Sequence, residues 1–140
     1  MTQLAPKTVD FINADFFVHG VFGRFPGLRF LSVENGSEWV VPLLQLLKKH
    51  SVHYAGRFTG DPVEQFHQNL WVCPFWEEDI ESLARHVRIE RICAGSDWPH
   101  PEGTVQPLDY IDGLKAFSPE EQRRIMRENT LELLGVAGGG

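Results

Sequence analysis

The stretch Arg91-Ile-Cys-Ala-Gly-Ser-Asp97-Trp-Pro-His100-Pro-Glu-Gly103 restricts the folds open to this chain more than any other. Its first half, Arg91 to Gly95, reads as a short buried strand. Its second half can extend neither a strand nor a helix, because Pro99 and Pro101 lack donors and restrict the residues before them. The strand therefore stops on a carboxylate, Asp97, and passes into a stiff loop carrying Trp98, His100 and Glu102. In parallel α/β folds the carboxyl ends of the strands carry the sites. Asp97 and His100 are thus candidate catalytic residues, and Trp98 and Glu102 candidate substrate contacts. Helping the loop fold is an equally open role for His100 and Glu102.

The rest of the chain supplies the setting for such a strand. Thr8 is placed to cap a helix to about Phe22, which carries His19 as a boundary residue. Phe25-Pro26-Gly27 breaks it. A strand over Leu28–Val33 follows and ends at Glu34-Asn35-Gly36. Glu34, at a strand's carboxyl end, can act as acid, base or ligand, or can orient the Gly36 turn. The segment Ser37–Lys49 is apolar almost all round, so a helix there is heavily buried or expects a partner. His50 and His53 sit at its end beside Lys48 and Lys49, where the helix dipole favours cations. After a loop, Asp61-Pro62 signals a short helix, with His67 facing solvent. Asn69–Phe75 is apolar without alternation, as in a strand covered on both faces. Glu77, Glu78 and Asp79 then read as first-turn acids of a helix in which Ile80, Leu83, Ala84 and Val87 share one face and His86 lies outside. Leu108–Phe117 reads as a short helix. Ser118-Pro119-Glu120-Glu121 forms a capping box for a last helix to Leu134, closed by Gly135. Residues 137–140 read as a disordered tail, and 1–136 as a single domain.

Composition narrows the class. A net charge of −6 argues against nucleic acid as a partner. No run reaches the length of a membrane span and no signal-peptide pattern opens the chain, so a cytoplasmic location is expected. Cys73 and Cys93 lie in apolar runs and read as buried thiols. The order is a helix followed by three strand–helix units with parallel strands.

The run Gly95–Gly103 resembles the last-strand motif of the amidohydrolase-related (amidohydrolase 2) family of metal-dependent hydrolases and decarboxylases. Gly20–Gly36 before it and Arg124–Gly135 after it are similar to further stretches of that family, in the same order. The resemblance covers the family's C-terminal half. It implies the C-terminal portion of a (β/α)8 barrel, an incomplete one, since a whole barrel needs about 250 residues and the chain has 140. It also implies a divalent metal, most often zinc, held by a first-strand His-x-His, a fifth-strand histidine and the last-strand aspartate. Of these only the aspartate has a counterpart, Asp97, suited to take a proton from water at the ion. Where many relatives carry a histidine with a proton-transfer role, this chain has Glu34.

Two readings follow. In one, the chain is part of a hydrolase or carboxy-lyase of small organic substrates, active once the missing ligands are supplied by a complementary chain or by sequence upstream of Met1. In the other, it is a non-catalytic α/β fragment that self-associates, as two unpaired sheet edges invite, or binds a partner.

Overall fold

The computed structural model describes residues 15–101 and 103–136. The expected Thr8 cap, Glu102 and the 137–140 tail lie outside the described residues. The chain forms two compact units, one of residues 1–30 and 38–70, the other of residues 31–37 and 71–140.

The first unit is built on aromatic packing. The helix expected to run on to Phe22 is interrupted at Gly20, whose φ of 63° is left-handed, and the helix Val21–Arg24 restarts beyond it. Phe17 and Phe22 are buried and meet edge to face with centroids 5.0 Å apart, while Phe17 also stacks on Phe66. The helix Val40–His53 buries Val40, Leu43 and Leu47. It is not apolar-covered all round as its composition suggested: one stripe at i, i+3 and i+7 is buried, and Leu46 and Val52 are 43% and 77% exposed. Asp61 caps the helix Pro62–Asn69 by accepting from the Val63 and Glu64 N–H groups. That helix buries Gln65, Phe66, His67 and Asn69. His67, expected to face solvent, is therefore a packed residue whose ring lies against that of Phe66. At the helix's end the Asn69 amide donates to the carbonyls of Pro26 (2.9 Å) and Leu28 (2.8 Å).

The second unit carries the carboxyl ends of the strands. Strand β1 (Phe30–Ser32) and strand β2 (Leu70–Val72) form a two-stranded sheet, continued where Cys73 N–H donates to the Ser32 carbonyl. A parallel bridge joins Val72 to Ile92. The α/β order expected from the sequence is present as a helix-rich fold with this small sheet, but the strands are shorter. The segment Arg91–Gly95, expected as a whole strand, makes only the Ile92 bridge. Ile89–Arg91 is a 3-10 turn, and Ala94 N–H is taken by the Ile125 carbonyl at 2.9 Å.

Asn129, fully buried, holds the same segment by donating to the Ile89 (2.7 Å) and Ile92 (2.8 Å) carbonyls. Such a buried amide satisfies carbonyls that no strand reaches. It follows a π-helical turn, Arg124–Glu128, that interrupts the last helix before Asn129–Leu134. Gly135 ends that helix in left-handed backbone, and the Ser118–Glu121 capping box is complete at its start. The helix Ile80–Ala84 is shorter than expected, with Asp79 as its cap, so Glu77 and Glu78 precede it. Ile80, Leu83 and Val87 are buried as their spacing required. Pro107–Leu114 winds as a 3-10 helix. Cys73 and Cys93 are free, buried thiols. Among the described residues no helix is long and apolar enough to cross a membrane.

Candidate functional site

Within the second unit, the segments that leave β1, β2 and Ile92 meet around a cleft of about 270 Å³. Glu34 comes from the first, Phe75, Trp76 and Glu77 from the second, and Gly95, Asp97 and His100 from the third. Glu34 and Asp97 both have left-handed backbone, with φ of 57° and 55°. For a residue with a Cβ this costs about 1–2 kcal/mol, and such strain gathers where a side chain must be aimed. The ligating atoms of Glu34, Asp97 and His100 all lie within 4.8 Å of one another. Two carboxylates and an imidazole so disposed can share a divalent cation or pass a proton.

The loop that carries Asp97 and His100 is closed by its own backbone. His100 N–H donates to the Asp97 carbonyl (2.8 Å), Gly103 N–H to the His100 carbonyl (3.0 Å) and Thr104 N–H to the Ser96 carbonyl (2.8 Å). Gly103 is there for close approach: a Cβ would stand 2.6 Å from the Asp97 oxygen and 2.7 Å from that of Ser96. At Gly95 a Cβ would overlap the sulfur of Cys73, which lines a smaller recess of about 60 Å³ together with Val33, Glu34 and Asp97. Burial, then the nearby Cys93, pushes the Cys73 thiol up to about 12. It is therefore protonated at neutral pH and no nucleophile there.

The loop that carries Glu34 is tied from outside. Glu78 accepts from the Ser37 N–H (2.8 Å) and from the Phe75 N–H (2.7 Å), and its carboxylate also accepts from the Ser37 hydroxyl. Asn35 turns back on the Val33 carbonyl at 2.6 Å.

Of the residues singled out from the sequence, Glu34, Asp97 and His100 are brought together. Trp98 is 61% exposed and is not among the cleft's lining residues; the aromatic walls are Phe75 and Trp76. Glu102 lies outside the described residues. His53 is exposed and occupied locally, its Nδ1 2.8 Å from the Lys49 carbonyl, and His50 packs edge-on to Tyr54. Phe75, Trp76 and Glu77 also line the cleft: from sequence Phe75 ends a strand and Glu77 reads as a first-turn acid of the next helix, although all three follow β2 as Asp97 follows its own segment.

The chain as a whole is similar to several known proteins. A solved amidohydrolase from Mycobacterium avium subsp. paratuberculosis K-10 is 43% identical and superposes with a TM-score of 0.91, over 94% of this chain and 34% of its own. A dihydroxybenzoic acid decarboxylase from Polaromonas sp. JS666, solved with bound manganese and the inhibitor 2-nitroresorcinol, shares the fold at 15% identity, with a TM-score of 0.69 over 93% of this chain and 40% of its own. A 2-amino-3-carboxymuconate-6-semialdehyde decarboxylase from Dictyostelium discoideum is 24% identical over 129 residues, which cover 84% of this chain and 34% of that protein. The chain thus spans between about a third and two fifths of the length of these relatives. Residues 13–136 match the Amidohydrolase family, nearly the whole of the sequence, and the chain belongs to that family.

Proposed function

We propose that this chain is the C-terminal part of a (β/α)8-barrel enzyme of the amidohydrolase family, contributing to a metal-dependent hydrolase or carboxy-lyase of small organic substrates. The observation that carries the reading is the convergence of Glu34, Asp97 and His100 at the strand ends, with ligating atoms within 4.8 Å of one another. The group fits a divalent ion. Its ligating atoms already lie within 4.8 Å of one another, close enough for one ion to be shared among them. Carboxylate and imidazole donors suit zinc or manganese.

An ion held there supplies Lewis acidity. Asp97, the ligand that the sequence motif also singles out, is the group that takes and returns a proton. His100 offers the imidazole to the ion or orients the substrate from the closed loop, and Glu34 stands where it can hold the ion or serve as a second acid. Phe75 and Trp76 wall the cleft and offer apolar surface to a bound substrate. The remaining ligands come from sequence outside this chain or from another chain.

The test is metal content after dialysis against zinc and manganese, read by elemental mass spectrometry. About one ion per chain is expected, with loss of at least tenfold in affinity in Asp97→Asn and no turnover by that variant in any full-length or reconstituted form. Binding or turnover unchanged by that substitution removes Asp97 from the site. The coverage of only a third of the relatives favours a second reading, a non-catalytic fragment that associates with itself or with a complementary chain. A metal-free oligomer in sedimentation, inert with every substrate offered, supports it.

A further inference from the structure

The geometry points to Glu78 as the positioning residue of the cleft: its carboxylate ties the loop bearing Glu34 to the segment bearing Phe75, Trp76 and Glu77, and so sets where Glu34 stands relative to Asp97 and His100. This rests on the reading of those three residues as a cation site and assigns to it a residue outside the cleft's lining. One oxygen, Oε1, accepts from Phe75 N–H at 2.7 Å, and the Glu78 N–H returns a bond to the Phe75 carbonyl at 3.2 Å. That pair closes the turn after β2. Oε2 accepts from Ser37 N–H at 2.8 Å and from the Ser37 hydroxyl, across 41 positions of sequence. Gly36, with φ of 60°, lies so close that a Cβ would stand 2.8 Å from Oε1 and 3.0 Å from the Phe75 ring. The carboxylate therefore receives three donors, and Glu34 is two residues from the glycine that backs onto it. An ionised acceptor is needed for all three, because an amide in its place would turn a donor toward donors.

The experiment compares the 140-residue wild-type chain with Glu78→Gln and with the milder Ser37→Ala. Manganese affinity is measured by electron paramagnetic resonance, and exchange of the Ser37 and Phe75 amides by NMR. Glu78→Gln should bind manganese at least tenfold more weakly and exchange those amides at least tenfold faster, while the Ile92 and Ala94 amides keep their protection. Ser37→Ala should weaken binding about two- to threefold. Unchanged affinity in folded Glu78→Gln overturns the positioning role. So does a loss of protection that spreads equally to Ile92 and Ala94, because a merely structural residue does that. If the wild type binds no manganese, the cation reading fails, and the exchange data alone decide: selective release of Ser37 and Phe75 upholds the tie, and unchanged exchange overturns it. Should Glu78→Gln fail to fold, Ser37→Ala carries the same two readouts.

Discussion

The loop after β1 and the loop after Ile92 each start from an acid in left-handed backbone, Glu34 and Asp97, but they are secured by different means. The Asp97 loop is closed on itself by backbone bonds from His100, Gly103 and Thr104 within nine residues. The Glu34 loop has a local bond from Asn35, and its far end is held by the carboxylate of Glu78. A self-closed loop keeps its shape when its neighbours change. A loop held by one remote side chain depends on that side chain and on whatever moves it. The comparison teaches that one half of the candidate site is fixed by covalent proximity and the other by a single charged contact, so the two halves should fail separately.

The harshest way to break the first loop is Gly103→Ala. The added carbon meets backbone atoms of Ser96 and Asp97 at 2.6 to 2.7 Å, and backbone does not yield as a flexible side chain does. Overpacking of this kind costs up to about 3 kcal/mol. Chemical denaturation should show a loss near that size. Amide exchange should accelerate at His100 and Thr104 and stay slow at Ser37 and Phe75. A wild-type midpoint would mean that the loop is not closed as tightly as its bonds imply.

The counterpart in the second loop is Gly36→Ala. It combines left-handed backbone, at φ of 60°, with contacts on the Glu78 carboxylate and the Phe75 ring, and about 2 kcal/mol is expected. Because it breaks the same tie as Glu78→Ala, the double variant should lose less than the sum of the two. Strict additivity would separate Gly36 from Glu78 and dissolve the comparison.

These contrasts also show what could be read in the sequence. Asp97 and His100 were legible because the loop that carries them is written locally, in an apolar run, two prolines and two glycines within thirteen positions, although Asn129 and the Ile125 carbonyl hold the segment before it. The Ser118–Glu121 box and the Asp61 cap were legible for the same reason. Glu78 was not. Between Glu77 and Asp79 nothing in the spacing marks it, and it read as a first-turn acid; its distinguishing partner, Ser37, is 41 positions away. Two of the three expected strands are elements, shorter than their apolar runs, and the third is only the bridge at Ile92; Asn69 takes up the Leu28 carbonyl and Asn129 that of Ile92, both inside the expected strands. His67 was misplaced because polarity suggested exposure, whereas its helix is buried around most of its girth. The family, too, was visible in the Gly95–Gly103 motif, and the match over residues 13–136 bears that out.

The smallest effects offer the sharpest contrast, because each loop carries one hydroxyl bonded to its anchor. Thr104 Oγ1 donates to the Ser96 carbonyl at 3.3 Å, and the Thr104 N–H already satisfies that carbonyl at 2.8 Å. Thr104→Val keeps the shape and the stronger bond. It should lose about 0.5 kcal/mol, the low end for a neutral hydrogen bond. The Ser37 hydroxyl donates instead to an ionised carboxylate, a bond of about 1.5 kcal/mol or more. Paired urea titrations of Ser37→Ala and Thr104→Val should therefore rank Ser37→Ala as the more damaging by about 1 kcal/mol. Equal losses would show that Glu78 contributes no more to its loop than a backbone carbonyl does to the other, and the asymmetry between the two halves of the cleft would have to be given up.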